Sequence, residues 1–377
     1  MPHSSVGHRH AIAPSRVIRG EKVWPQAIPL IAALCQKPAL IGRSSVTETI
    51  RSKLKKDLLN EGLAVMSGQL EFDCCEHDLQ RLEGQLRFQN CDAVIAAGGG
   101  KVLDAGKLLA HRLNLPCITV PLSAATCAGW TALANIYTRN GAFISDQELN
   151  HCPELLIFDH ALVRQAPKRT LSSGIADALA KWYEASVGSG SSGDGIVQQA
   201  VQMARVLRDQ LLLDALEAVE DPNSEAWIRV AEACGLTAGV IGGLGGAQCR
   251  TVAAHAVHNG LTQLPASHGR LHGEKVGFGI LVQLRLEERL GANQLAAQAR
   301  SQLLPLLKKL QLPITLQDLG LGESGLHELR EICTFACHEG SDLHHLPFKV
   351  TETDLLEALI STDVDRLPVH ASQESDA

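Results

Sequence analysis

Short apolar runs alternate with helical stretches along the first part of the chain, and this alternation constrains the fold more than any other feature. Five mostly apolar runs lie at 39–41, 63–65, 93–96, 117–120 and 155–158. The stretches between them, such as 45–60 and 101–112, have apolar residues at helical spacing. Strand, helix and strand at this cadence predict a parallel sheet with helices on its faces. Ligands of such sheets bind beyond the carboxyl ends of the strands, so the turn after the third run is the first candidate site.

Helical periodicity replaces the strand pattern after about residue 160. It covers eight stretches, at 174–186, 196–217, 225–238, 249–260, 274–290, 294–309, 324–338 and 352–361. A length of 377 residues suggests two domains, on a prior of roughly 150 residues for each. We therefore predict a flexible tail at 1–20, an α/β domain at 21–163 and an all-helical domain at 164–377.

Charge and cysteine usage narrow the class of protein. The net charge is -7 and no basic block is present, which argues against nucleic acid as a partner. The 11 cysteines form no CxxC pair, which favours reduced thiols in a cytoplasmic protein. The first residues lack the apolar segment of a signal peptide, and no apolar run reaches the roughly 18 residues that cross a bilayer. We expect neither export nor a membrane span.

Three consecutive glycines, Gly98 to Gly100, separate the third predicted strand from the helical stretch after it. Glycines let the backbone approach a pyrophosphate, and the N–H groups of a following helix favour negative charge. The turn is not a Walker loop, because Val102 follows Lys101 where that loop has Ser or Thr. It also fits the GxGxxG fingerprint poorly, because Leu103 holds the last glycine position. The turn is a candidate phosphate cradle, and a plain tight turn explains the glycines equally well.

One carboxylate and three imidazoles in the helical half form a candidate metal site. Asp177 lies among small apolar residues, where an unpaired carboxylate is costly to bury. His255 and His258 share one helical face, and His272 opens the next helical stretch. One carboxylate and two imidazoles can bind zinc and leave a position open for substrate. Because the chain has 16 His, surface or core roles are the alternative for each of them.

Four separated motifs resemble the glycerol-dehydrogenase-like branch of the iron-containing alcohol dehydrogenase family. They are GGGKxxD at 98–104, GIADALAKWYEA at 174–185, AAHAVHNGLT at 253–262 and LHGEKVGFG at 271–279. The resemblance spans about residues 38–362. It implies a Rossmann-like dinucleotide-binding α/β domain, an all-α metal-binding domain and an active site in the cleft between them.

The resemblance also implies roles for individual residues. The metal ligands would be Asp177, His255 and His272. The residues that would bind the cofactor are Arg43, Gly98, Gly99, Gly100, Lys101, Asp104, Thr126, Thr131, Leu133 and Tyr137. Within that set, Gly99, Gly100 and Lys101 would contact the pyrophosphate. Thr131, Leu133 and Tyr137 would line the nicotinamide side. Glu184 and Glu274 are expected to support helices or ligands rather than to bind metal.

Three positions depart from the family pattern. Lys181 stands where the iron-using branch has a fourth ligand, and a cation cannot bind a metal, so Zn²⁺ is favoured over Fe²⁺. Cys127 stands where glycerol dehydrogenases have an Asp that contacts the polyol, and losing that carboxylate removes a repulsion against anionic substrates. Arg43 stands where NAD-using members have Asp, and it could pair with the 2'-phosphate of NADP(H). A solvated surface role is the alternative for Arg43.

The resemblance and these departures from it imply metal-dependent hydride transfer between NADP(H) or NAD(H) and a small secondary alcohol or ketone. A 2-hydroxy or 2-oxo carboxylic acid is the favoured substrate, because the segments at 126–130, 270–272 and 345–347 look like hydroxycarboxylate dehydrogenases of the same branch. Cys127 would line the substrate pocket, and His258 is a candidate proton relay, with a packing role as the alternative. Glycerol dehydrogenase is the alternative function; a dehydroquinate-synthase-like lyase and a silent nucleotide-binding protein are remote ones. The resemblance also implies a homo-oligomer.

Overall fold

The computed structural model describes residues 10–364, which form eight strands and fifteen α-helices. The strands are β1 (Arg16–Gly20), β2 (Pro38–Gly42), β3 (Met66–Gln69), β4 (Ala93–Gly98), β5 (Cys117–Pro121), β6 (Leu133–Tyr137), β7 (Phe143–Glu148) and β8 (Leu155–Asp159). The helices are α1 (Trp24–Leu34), α2 (Glu48–Asn60), α3 (Glu76–Phe88), α4 (Gly100–Leu113), α5 (His160–Val163), α6 (Lys168–Gly188), α7 (Gly195–Glu220), α8 (Glu225–Glu232), α9 (Ala238–Gly245), α10 (Ala247–Arg250), α11 (Ala253–Leu261), α12 (His272–Arg289), α13 (Gln294–Lys309), α14 (Leu326–Ala336) and α15 (Glu352–Val364).

Six strands form one parallel sheet in the order β1-β8-β5-β4-β2-β3 within the described residues. The strands β2, β4, β5 and β8 are buried along their whole length, as expected for a sheet covered on both faces. One apolar cluster packs α1 and α2 on one face, and another packs α3 and α4 on the other. The strand order reverses between β2 and β4, so the crevice beyond their carboxyl ends is the place where ligands bind in such folds.

Four of the five predicted strands form where the apolar runs lie, whereas the edges of the sheet differ from the prediction. The run at 63–65 precedes its strand, because β3 is a largely polar edge strand. The prediction of a flexible tail to residue 20 is wrong for Arg16–Gly20, which pair with Leu155–Asp159 of β8. Residues 1–9 of that predicted tail lie outside the described residues. Edge strands are half-exposed, so they lack the apolar runs that identify central strands.

A two-stranded antiparallel hairpin, β6–β7, joins the two halves of the molecule. The sequence pattern gave no sign of it, because both strands are short and β7 is largely exposed. The backbone N–H of Phe143 donates to Thr262 Oγ1 over 2.9 Å, and Gln263 Nε2 donates to the Phe143 carbonyl over 3.0 Å. The hairpin therefore connects the sheet to α11.

The second half is helical, and the predicted fold class of an α/β sheet followed by an all-α part is confirmed. Its two apolar clusters surround α6, α11 and α12. The helical stretch Glu225–Gly245 is long and apolar enough to cross a bilayer by length and composition alone, but 61% of its most apolar window is buried inside the fold. The buried core helix of a globular protein passes the same test. This stretch packs against α7 within the apolar core, as such a core helix does.

Candidate active site

A cavity of about 520 Å³ lies between the carboxyl edge of the sheet and the helical half. It brings together residues from both halves that are far apart in sequence. The predicted site residues that line it are Arg43, Gly98, Gly99, Gly100, Lys101, Asp104, Thr126, Cys127, Thr131, Leu133, Tyr137, Asp177, His255 and His272. His258 is the one predicted site residue that is not among the lining residues.

Asp177, His255 and His272 form a compact cluster at the helical wall of this cavity. One potential ligand atom from each lies within 4.8 Å of the others. Asp177 Oδ1 is 3.2 Å from His272 Nε2 and 3.4 Å from His255 Nε2. A carboxylate oxygen and two imidazole nitrogens that converge in this way are a donor set suited to zinc with an open position.

Close backbone packing at two glycines fixes α6 against α12 and against the sheet half. A Cβ on Gly273, next to His272, would lie 1.8 Å from the Ser173 carbonyl oxygen of α6. A Cβ on Gly174 would lie 1.9 Å from the Ala124 carbonyl oxygen, which belongs to the sheet half. Neither position has room for a side chain. The two glycines therefore let the backbone of α6 contact both α12 and the sheet half.

Glu184 holds His255 from the side opposite the cavity. This fully buried carboxylate accepts from His255 Nδ1 over 2.6 Å and from the backbone N–H groups of Val252 (2.7 Å) and His255 (3.0 Å). A carboxylate partner requires a proton on Nδ1, so Nε2 is left to face Asp177. Burial lowers the pKa of His255, but the Glu184 charge and the hydrogen bonds that the imidazole donates to both carboxylates outweigh it and raise the pKa to about 9. Glu184 thus holds the candidate ligand His255 and is not itself one of the three converging donors.

The charges of the cluster keep Asp177 ionised. Burial alone raises its pKa, but the charges of His272 and Lys181 and the hydrogen bonds from both imidazoles hold the pKa of Asp177 well below its usual range. Burial lowers the pKa of His272, with the charge of Asp177 opposing it. Metal binding needs neutral imidazoles beside the ionised carboxylate, so it would release the proton that the pKa of about 9 leaves on His255.

Lys181, four residues after Asp177 on α6, is buried and lines the cavity. Its Nζ donates to the carbonyl oxygen of Arg250 over 3.1 Å. The ammonium therefore lies near the cluster as a cation and cannot act as a fourth ligand.

His258 is buried behind the cluster. Its ring lies 4.2 Å from the His272 ring, and its Nδ1 pairs with Asn259 Oδ1 over 2.9 Å. Burial and the charges of His272, Lys275 and His255 hold the pKa of His258 well below its ordinary value, so the imidazole is neutral. Its own contacts are those of a packed neighbour of His272, and Asn259 is its connection to the cavity.

The glycine turn opens into the cavity at the start of α4. A Cβ on Gly99 would meet nothing closer than Ser123 Oγ at 3.8 Å, whereas one on Gly100 would lie 2.9 Å from Thr126 Oγ1. The backbone is therefore accessible at the helix N-terminus, as a phosphate cradle requires. Lys101 Nζ lies 4.6 Å from the centre of the Tyr137 ring, at the mouth of this turn.

Two ion-pair networks that the sequence did not reveal lie on the sheet side of the cavity. Lys107 Nζ is 3.0 Å from Asp104 Oδ1 and donates to the Thr131 carbonyl over 3.1 Å. Asp104 is thus occupied with holding the segment before β6. Asp73, which is nearly buried, pairs with both Arg43 and Lys101. No spacing in the sequence links Arg43, Asp73 and Lys101, because they follow different strands and meet only at the sheet edge.

Gly174→Ala is expected to reduce catalytic efficiency by about 100-fold, because a shift of about 1 Å between reacting groups has that effect. The added methyl group would push α6, and with it Asp177, away from the sheet half. We also expect a fall of about 5 °C in melting temperature from overpacking. Steady-state kinetics and a thermal melt measure both effects.

Gly84→Ala is the matched control, because a Cβ at this exposed helical position meets no atom within 4 Å. It should leave activity unchanged and raise stability slightly. Equal behaviour of the two variants would contradict the packing argument.

Comparison with known proteins gives the family of the chain. Residues 14–160 match the iron-containing alcohol dehydrogenase family. A Synechocystis protein described as an uncharacterized oxidoreductase is 52% identical, over 94% of this chain and 92% of its own length. A glycerol dehydrogenase of Escherichia coli O6:H1 is 33% identical, over 93% of this chain and 95% of its own.

Two further relatives show the same similarity. Hydroxycarboxylate dehydrogenase A of Escherichia coli K12 is 35% identical, over 76% of this chain and 78% of its own. The crystal structure of glycerol dehydrogenase from Schizosaccharomyces pombe superposes with a TM-score of 0.82 at 28% identity, covering 95% of this chain and 91% of that one. With these matches over nearly its whole length, the chain belongs to the iron-containing alcohol dehydrogenase family and is an oxidoreductase that acts on CH–OH groups.

Proposed function

We propose that the chain is a zinc-dependent, NAD(P)-linked dehydrogenase of small 2-hydroxy and 2-oxo carboxylic acids. Cys127 is the observation that carries the substrate class. Cys127 lines the cavity together with Asp177. It stands at the position where the glycerol dehydrogenases that the chain resembles have a carboxylate. Burial raises the pKa of the Cys127 thiol, so the thiol is neutral at physiological pH and does not repel an anion. The 35% identical relative named hydroxycarboxylate dehydrogenase A supports the same class.

The cluster of Asp177, His255 and His272 fits a divalent metal, and zinc is the proposed ion. Three buried donors of two chemical types converge there, and Lys181 excludes a fourth protein ligand. Three ligands with an open position are typical of catalytic zinc. When a metal ion and the nicotinamide cofactor are bound, the ion would supply Lewis acidity toward a carbonyl or alkoxide oxygen, and the cofactor would supply or accept the hydride.

The chain's own residues bind and orient the reactants. The glycine turn and Lys101 would hold the cofactor pyrophosphate, and the Lys107 network fixes the Thr131 segment on the nicotinamide side. The cavity lies between the two halves, which limits the access of water to the reacting groups. His258 remains a proposed proton relay, with Asn259 as its connection to the cavity.

Glycerol dehydrogenase is the second candidate function. It is favoured by the glycerol dehydrogenase of E. coli O6:H1, which is 33% identical over 93% of this chain. In this case Cys127 would replace the polyol-binding carboxylate without changing the substrate, and dihydroxyacetone would be reduced.

The deciding experiment measures the oxidation of NADPH and of NADH by zinc-loaded protein. The readout is the loss of absorbance of the reduced nicotinamide at about 340 nm. The parallel substrates are 2-oxobutyrate, 2-oxoglutarate and dihydroxyacetone. Turnover of the oxo acids supports the proposal. Reduction of dihydroxyacetone alone assigns glycerol dehydrogenase instead.

Arg43→Ala is expected to raise the KM for NADPH about 10-fold and to leave the KM for NADH unchanged, because a charge-assisted bond to the 2'-phosphate would be lost. We expect no larger increase in the KM for NADPH, because Asp73 already pairs with Arg43 and so weakens its bond to the phosphate. The adjoining surface cavity of about 690 Å³ offers the hydroxyls of Ser44 and Ser45 to the same phosphate, although Glu48 also lines it.

Lys101→Ala is the control for this change. It should weaken both cofactors equally, since both carry the pyrophosphate. If Arg43→Ala also weakens both equally, Arg43 does not discriminate between them.

A further inference from the structure

Two cations in the cavity have no role in the chemistry described so far. Arg250, the last residue of α10, and Lys181 of α6 both line the cavity that contains the metal cluster. The side chain of Arg250 is 16% exposed, and Lys181 is buried. Positive charge withdrawn from water in this way needs a partner.

The guanidinium of Arg250 lacks a strong partner within the described residues. Its Nε is buried and has no hydrogen-bond acceptor among them. Its terminal nitrogen is 3.5 Å from a carboxylate oxygen of Glu148, whose side chain is 79% exposed. An exposed ion pair at that distance contributes little. A guanidinium presents a planar fork of donors that matches a carboxylate.

The backbone around Arg250 is shaped to hold its side chain in place. A Cβ on Gly242 would lie 2.8 Å from Arg250 Cγ and 2.9 Å from Cδ. The aliphatic stem therefore lies across α9 where a side chain is missing. The Arg250 carbonyl accepts the hydrogen bond from Lys181 Nζ over 3.1 Å, so the ammonium is fixed at the same end of the cavity.

The nearby carboxylates offset this pair of cations only in part. Asp177 interacts with the Lys181 charge, but two imidazoles also hold it. Asp342, which also lines the cavity, lies 3.7 Å from His345 Nδ1, and burial raises its pKa, with the Thr251 hydroxyl opposing that rise. Cys127 adds no charge. The end of the cavity at Arg250 is therefore electropositive and is suited to an anionic group.

We propose that Arg250, assisted by Lys181, binds the carboxylate of the substrate and so determines the preference for oxo acids over neutral ketones. This inference rests on the proposed function and goes further by naming the residues that recognise the anion. Arg250 acts on specificity and holds no proton or hydride, so its loss should alter substrate binding more than turnover.

The test compares Arg250→Met and Arg250→Lys with the wild-type enzyme, all zinc-loaded, on a matched pair of substrates. The pair is 2-oxobutyrate and 1-hydroxy-2-butanone, in which CH₂OH replaces the carboxylate. For Arg250→Met we expect kcat/KM on the oxo acid to fall about 100-fold, mainly through KM, as for truncation of one partner of a buried charge pair. The neutral ketone should change by less than about 3-fold, since it loses no such contact. Arg250→Lys should recover part of the loss.

Two further variants separate recognition from general damage. Gly242→Ala should displace the stem of Arg250 and shift specificity in the same direction. Arg229→Met should change neither substrate, because Arg229 pairs with Asp214 and is not among the residues that line the cavity. Calorimetric binding of oxamate, an anion that mimics a 2-oxo acid, gives a readout independent of turnover: wild-type protein should bind it and Arg250→Met should not.

The outcomes distinguish this inference from the proposed function. If the wild type reduces 2-oxobutyrate and Arg250→Met keeps the same preference over the neutral ketone, the role of Arg250 is wrong and the function stands. A raised KM for NADPH with unchanged substrate preference assigns Arg250 to the cofactor and overturns the inference. If only dihydroxyacetone is reduced, the proposed function fails; Arg250-dependent oxamate binding would then still support an anion subsite, and its absence would overturn it.

Discussion

Asp177→Asn should reduce kcat/KM by about 1,000-fold or more, because loss of metal removes several kcal/mol of transition-state stabilisation. The amide keeps the size of the side chain but removes the negative charge that faces both imidazoles. Asp177 Oδ1 lies within 3.4 Å of His255 Nε2 and closer still to His272 Nε2. We therefore expect bound zinc, measured by elemental analysis after dialysis, to fall well below one ion per chain.

Asp159→Asn provides the control for a buried carboxylate outside the cluster. Asp159 caps α5 through the Ala161 N–H and accepts from the Trp24 backbone N–H over 2.8 Å. Its loss should lower the melting temperature and leave zinc content unchanged. Full zinc content and normal turnover in Asp177→Asn would refute the assignment of the cluster as the metal site.

The sequence predicted the central sheet and the ligand helices well because both have strong local signals. Buried strands such as β4 are continuous apolar runs, and α6 and α12 have clear helical spacing. The edge strand β1 and the hairpin β6–β7 have weak patterns, since exposed strands are not selected for apolar residues. Their positions follow from pairing and packing, which a single sequence does not display.

The same distinction applies to the site: residues in local motifs were predicted, and residues that meet only through packing were not. Motifs of known spacing identified the glycine turn and the three candidate ligands, and the structure brings these together in one cavity. Asp73, Lys107 and the orientation of Arg250 were missed, because each depends on contacts between residues far apart in the chain. The contact between Arg250 and Gly242, for example, joins α10 to α9 through the absence of a side chain. Absent atoms leave no signal in composition or periodicity.

Glu184→Gln is expected to weaken zinc binding by about 10- to 100-fold, the usual effect of losing a partner of a metal-binding histidine. The reason lies in the tautomer of His255. In the native protein one Glu184 oxygen accepts from two backbone N–H groups and the other accepts from Nδ1. The single oxygen of glutamine would remain with the two backbone donors, so its NH₂ group would face Nδ1. Nδ1 must then accept, and the proton moves to Nε2, the nitrogen that faces Asp177.

Competition with a zinc-binding dye measures this loss of affinity directly. Glu287→Gln is the matched control, because Glu287 is also buried on a ligand helix, but it pairs with Gln283 and Asn293 and not with a candidate ligand. If Glu184 acts only in packing, both variants will lose stability while their zinc affinity stays equal to that of the wild type. If Glu184 sets the tautomer, only Glu184→Gln will lose zinc, and Glu184→Asp, which keeps a carboxylate acceptor, will retain more of the affinity than Glu184→Gln does.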